Sequence, residues 1–173
     1  MYSKIKIAGH PVHPMLVAFP VASYTGTLVG FAVYAANGHQ FWLNLAIALN
    51  IAGVCSAVLA ALPGLADWAL GVQRDSAAKK IGLAHAAFNM AALGLFLATI
   101  ATYGNHWNGP PASATLGLVL SAIGVSLTIA AGFLGWMLVQ GYHVGVHLAP
   151  EQERAESTVQ QTEPSDVLRR HAA

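Results

Sequence analysis

Two long stretches without a single formal charge decide what this chain can become. Between residues 14 and 66, and again between 81 and 150, there is no Asp, Glu, Lys or Arg. A soluble domain carries about 25% charged residues, spread over its surface. Here the share is 9%, against 55% hydrophobic residues and a mean hydropathy of +0.55. No water-facing surface can be built from that supply, so the chain reads as a polytopic membrane protein whose first partner is the lipid bilayer. The net charge of +1 supplies no basic stripe to neutralise phosphates, which excludes nucleic acid as a partner.

Crossing the hydrocarbon core takes about 20 apolar residues, and four runs meet that length: 14–36, 41–66, 81–103 and 114–140. The fold class is all-α, a four-helix transmembrane bundle over 1–147 followed by a polar tail, 148–173, disordered or weakly helical. Lys4 and Lys6 precede the first run as the n-region of a signal peptide would. A signal h-region is about 7–15 residues, however, and this run is longer, so it reads as a retained span. Pro20 predicts a bend in it, and Ser23, Thr25, Gly26 and Gly30 a small-residue packing face. Asn37, Gly38, His39 and Gln40 form an uncharged turn. The second span carries Asn44, Asn50, Gly53 and Ser56 and is expected to end at the Pro63-Gly64 break, just before Asp67 and Trp68. Cys55, the single cysteine, rules out an intramolecular disulfide and thiolate metal motifs, and reads as a small buried hydrophobe.

Sidedness follows from the basic residues. All eight Lys and Arg residues lie in the N-terminal arm, in the loop between the second and third spans, or in the tail. The positive-inside rule then places both termini in the cytoplasm, with His39 and His106 outside. Trp42 and Trp107 mark the outer interface, Trp68 and Trp136 the inner one, as an aromatic belt predicts. The expected location is the inner (cytoplasmic) membrane of the cell, crossed several times.

With that topology, depth can be read from position. His10 and His13 open the first helix, each followed by a proline that biases it away from the helical region. Pro14 suits the first helical position, which makes His13 the expected N-cap. Asp67 closes the second helix at the same level. His85 lies about 7–8 Å deeper than Lys80 at 1.5 Å per residue, with Asn89 one turn further on the same face. His143 and His147 close the fourth helix. All four helices thus bring a titratable group to the inner leaflet, and such a group inside a span is a functional-site hypothesis by default.

Three chemistries fit this cluster. Imidazoles are axial ligands for haem, and His13, His85 and His143 are the candidates, with Gly82, Ala86, Gly132 and Gly135 offering helix surfaces of little bulk alongside. A transition metal ion would instead use His10, His13, Asp67 and His85, although His-x-x-His in an extended segment is not the usual helical metal pair. A proton relay would pass between Asp67 and His85, and a transport role would require an oligomer, since four short helices cannot enclose a large pathway. Against all three stands a polar cluster that only locks helices together, as in a membrane anchor or assembly partner. No nucleophile–base pair is evident, so an electron carrier or binding module is expected rather than a catalyst, with room for a redox protein partner and a homo-oligomer. A faint internal symmetry runs through these positions: His13 and His85 begin the first and third helices, Asp67 and His143 end the second and fourth. Two hairpins in the same orientation would be related by an axis along the membrane normal.

Gly9-His10-Pro11-Val12-His13-Pro14 with Val17, Phe19 and Pro20, then Gly64-Leu65-Ala66-Asp67-Trp68, then His85 and Asn89, then Gly132-Phe133-Leu134-Gly135, resemble a bacterial family catalogued as domain of unknown function 2231. The resemblance covers about residues 9–147 and implies a four-helix membrane protein. Members fused to cytochrome c-like or Rieske iron–sulfur domains imply electron transfer near a b-type haem. The family's fourth helix tends to end in His-Gly-Val-Gly-Val, whereas this chain reads Tyr142-His143-Val144-Gly145-Val146. His143 therefore comes one residue late, about 100° around a helix, and His13 and His85 rank above it as ligands.

Overall fold

The computed structural model describes residues 3–146, 148–155 and 157–158. It begins with a small antiparallel hairpin, β1 (Lys6–Ile7) and β2 (His10–Pro11), with Lys6 opposite Pro11 and Ile7 opposite His10. Its two-residue turn needs positive φ at both positions, and Ala8 and Gly9 supply 49° and 82°. Five α-helices follow: α1 (Val12–Leu16), α2 (Ala18–Asn37), α3 (Gln40–Gly71), α4 (Ala77–Tyr103) and α5 (Thr115–Tyr142). A short 3₁₀ turn, Gly104–His106, extends α4. With α1 and α2 taken together, four helices are long and apolar enough to cross a membrane.

The boundaries differ from the sequence expectations at three places, each for a local reason. The first helix starts at Val12 with Pro11 as its N-cap, so His13 lies inside the first turn rather than capping it. The break falls at Val17, a turn before Pro20, because proline has no N–H to offer the carbonyl four residues earlier. The second span runs past Pro63 to Gly71. In a bilayer the backbone has no water to turn to, and one missing bond at Pro63 costs less than unwinding two turns. At 32 residues and 1.5 Å per residue, α3 is about 48 Å long, longer than the hydrocarbon core of about 30 Å.

The helices form a square. The α2 helix packs on α3 and α5, and so does α4, which leaves α2 and α4 facing each other across the central axis. Close approach is paid for with glycine, as the small-residue face of the first span predicts: a Cβ on Gly30 would lie 2.9 Å from Ala46 Cβ, and one on Gly26 2.7 Å from Leu49 Cδ1. Thr25 is exposed and does not share in this face. Gly38, at φ 68°, ends α2 in the left-handed conformation that a tight helix exit requires. At this loop end the core is Phe31, Tyr34, Leu43, Ala46, Ile47 and Tyr103, and the tyrosines tie in the loop before α5. The Tyr34 hydroxyl donates to Ala112 O at 3.0 Å, and that of Tyr103 donates to Ser113 O at 2.6 Å.

Outside the square the chain is apolar. Phe19, Leu59, Ile129 and Phe133 are all at least 60% exposed, a surface that suits lipid and not water. Cys55 is exposed on α3, contrary to the expectation of burial; a lipid-facing position asks of it only the apolarity that a core would. Asp67 and the Lys79–Trp68 contact mark the opposite end. Ser76 caps α4 by accepting from Lys79 N at 3.1 Å. The Lys79 ammonium donates to Trp68 O and sits 4.1 Å over the Trp68 ring, whose Nε1 donates to Lys79 O at 3.0 Å. Of the polar tail, residues 150–155 are helical; the stretch beyond residue 158 lies outside the described residues.

Candidate functional site

Two imidazoles meet on the central axis at the end of the bundle where the N-terminal arm lies. His13 arrives on α1 and His85 on α4, with ring centroids 6.2 Å apart and planes at 88°. Each is fixed by the neighbouring helix of its own half. His13 Nδ1 bonds Ala60 O on α3 at 2.8 Å, and His85 Nδ1 bonds Ala131 O on α5 at 2.7 Å. A carbonyl can only accept, so Nδ1 carries a proton in both rings, and in the neutral ring Nε2 is then the nitrogen with the lone pair. The Asn89 amide confirms that assignment at His85, its Nδ2 lying 3.2 Å from Nε2 while also donating to His85 O at 2.9 Å.

The seats for the two rings are built alike. Four residues after each acceptor carbonyl comes a glycine, one turn along the same face. A Cβ on Gly64 would lie 2.7 Å from His13 Nδ1, and one on Gly135 3.1 Å from His85 Cε1. Gly64 is thus a seat, where the sequence suggested a helix breaker.

This equivalence extends along the bundle. Residues 13 and 85, 24 and 96, 27 and 99, and 31 and 103 are all separated by one interval, and 53 and 124, 60 and 131, and 64 and 135 by an interval one residue shorter. Tyr24 stacks on Phe96 with centroids 3.7 Å apart, Phe31 meets Tyr103 edge-on at 4.8 Å, and Thr27 and Thr99 are both fully buried. Gly53 makes room for Tyr24, Gly124 for Phe96. The repeated hairpins are α2–α3 and α4–α5, and the symmetry glimpsed in the sequence is an axis down the bundle on which paired rings lie.

The remaining candidates stand elsewhere. Asp67 accepts from Ser3 Oγ at 2.7 Å, Lys4 N at 2.6 Å and Ile5 N at 3.1 Å, which commits its carboxylate to the arm. His10 is exposed on the hairpin and its Nδ1 donates to Ala8 O at 2.9 Å. Among the described residues no three His, Cys, Asp or Glu side chains are placed to hold a metal ion, so His10, His13, Asp67 and His85 do not form the four-ligand set. His143 caps α5 with φ 49°, the left-handed position where glycine is usual. It follows Gly135 by eight residues, about 12 Å along the helix axis, and so stands off the level of the His85 ring. His147 lies outside the described residues. Of the low-bulk surfaces, Gly135 seats His85, Gly82 receives the Trp68 ring, and Gly132 is open. Sequence reasoning missed the carbonyls of Ala60 and Ala131; the Ala-x-x-x-Gly spacing shared by α3 and α5 was the available signal.

No curated protein and no solved structure matches this chain. A family model described as a predicted membrane protein, DUF2231, matches residues 9–148, a segment that opens in the hairpin turn, holds both imidazoles with their seats, and closes beyond the α5 cap. This chain belongs to the DUF2231 family of predicted membrane proteins.

Proposed function

We propose that the chain is a b-type haem protein of the bacterial inner membrane that passes single electrons, with His13 and His85 as axial ligands. The observation that supports this is the ring pair: two imidazoles from opposite halves, each with Nδ1–H bonded to a backbone carbonyl. That bond is the usual outer support of a metal-ligating histidine, which fixes ring and tautomer and raises basicity at Nε2. The ring centroids stand 6.2 Å apart, close enough for one metal to be within reach of both rings. A bare ion asks for three or four protein ligands, whereas haem iron takes two axial ones and suits a two-imidazole site. When bound, haem supplies a one-electron couple between ferric and ferrous iron.

The chain's own part is to hold both rings and to keep water from the bundle axis. Asn89 must yield Nε2 of His85 for that ring to ligate. The positive-inside rule puts both termini and the ring pair on the cytoplasmic side, where a redox protein partner would exchange the electron. The Asn89 amide on His85 favours a second reading, in which each imidazole only locks the helices of its own half together.

The test is the absorption spectrum of protein purified from cells supplied with haem, in air and after dithionite. A Soret band that is lost or strongly diminished in His13→Ala and His85→Ala, with both variants still inserted in the membrane, is the expected result. A colourless wild type overturns the haem reading and leaves the locking one.

A further inference from the structure

We propose that Asp67 is a positioning residue for His13: by clamping the N-terminal arm to α3 it sets where that imidazole stands. The inference rests on His13 being half of the functional pair, but its geometry is independent of what the pair binds. Ala60, Gly64 and Asp67 follow one another at i, i+4 and i+7, along one face of α3. That single face accepts the His13 Nδ1–H, leaves space for the ring, and takes three hydrogen bonds from Ser3, Lys4 and Ile5. Between the two anchor points the chain has no slack. Ile5 passes into β1, the hairpin turns at Ala8 and Gly9, and β2 leads straight into α1, with Val12 N bonded back to Ile5 O at 3.1 Å.

The other half of the bundle shows why an acid is needed here. Leu138 stands three residues after Gly135, as Asp67 does after Gly64, and it is apolar. His85 needs no clamp because it sits eight residues inside α4, carried by a helix that begins at Ala77. His13 lies in the first turn of its helical run, where a helix end frays and has no preceding turn to hold it. The acid occurs in the half whose imidazole is delivered by an arm.

The test uses the full chain in detergent micelles without added haem, so that it stands apart from the spectrum of the haem reading. Amide exchange at Lys4 and Ile5 and the Nδ1–H resonances of His13 and His85 are measured in wild type, Asp67→Asn, Asp67→Ala and Ser3→Ala. Losing hydrogen bonds to a charged acceptor should speed Lys4 and Ile5 exchange about tenfold or more in Asp67→Ala. The His13 Nδ1–H signal should shift or broaden away while that of His85 stays. Ser3→Ala, which leaves α3 and both backbone bonds intact, should shift His13 less and serves if the Asp67 variants do not fold. Faster exchange with an unmoved His13 signal would show a surface tether only, and unchanged exchange would show no clamp; either overturns the proposal.

Discussion

Gly64→Ala puts a methyl group where His13 now lies. The added Cβ would stand 2.7 Å from Nδ1, 2.9 Å from Cε1 and 3.1 Å from Cγ, against 3.4–4 Å for ordinary contact. The ring must retreat by roughly 0.7 Å, which stretches a 2.8 Å bond to Ala60 O to about 3.5 Å, at the edge of any hydrogen bond. An interhelical hydrogen bond in a bilayer contributes on average about 0.6 kcal/mol and at most about 1.7, and forcing a well-packed contact costs about 1–3 kcal/mol. Alanine returns up to about 1 kcal/mol of helix propensity. The net expectation is a loss of about 1–3 kcal/mol, measured by reversible unfolding in a denaturing detergent. Gly135→Ala, whose Cβ would be 3.1 Å from His85 Cε1, should cost less, and Gly132→Ala, with nothing within 4 Å, should be neutral or stabilising. If Gly64→Ala proves no worse than Gly132→Ala, the seat for His13 does not exist as described.

Two further outcomes are expected. The Tyr24 hydroxyl is buried without a hydrogen-bond partner among the described residues, and the same place in the other half is Phe96; Tyr24→Phe should therefore stabilise the bundle by about 1 kcal/mol or more, and a clear loss in the same unfolding assay would show that the hydroxyl is bonded after all. Reporters placed at the C-terminus and within the loop 72–76 should read as cytoplasmic and one within 107–113 as external, following the positive residues; an external C-terminus would move the ring pair to the other face of the membrane.

What was legible in the sequence was what depends on hydrophobic length and charge. Four spans follow from two uncharged stretches, because a bilayer permits helices and little else. The pairing of His13 with His85 was also within reach, since both fall in the first half of their spans. Asp67 was misplaced for a reason that depth cannot see: a carboxylate at the right level and on the right face can be taken up by another partner, and an arm with three donors took it. Pro63 and Gly64 read as a break because their propensities act on an isolated helix, whereas the span had no other backbone partner. Cys55 shows the same limit from the other side, for an apolar residue on a membrane helix faces core or lipid with equal ease.

The two halves are alike where rings and glycines set the packing, and unlike where the imidazoles receive their partners. Asn89 contacts His85 Nε2, and the corresponding residue of the first half is Val17, whose side chain has nothing to donate to the His13 ring. Asp67 holds the arm, and its counterpart Leu138 holds no arm at all. A perfectly repeated bundle would give two equivalent rings on its axis. These departures make one ring rigid, carried mid-helix with both nitrogens engaged, and the other dependent on a clamp, with no described residue bonded to Nε2. On the haem reading, a group held between them would find no described residue bonded to His13 Nε2 and would have to displace the Asn89 amide at His85. The two halves thus differ around their imidazoles at the four positions 17, 67, 89 and 138, and not in the rings themselves.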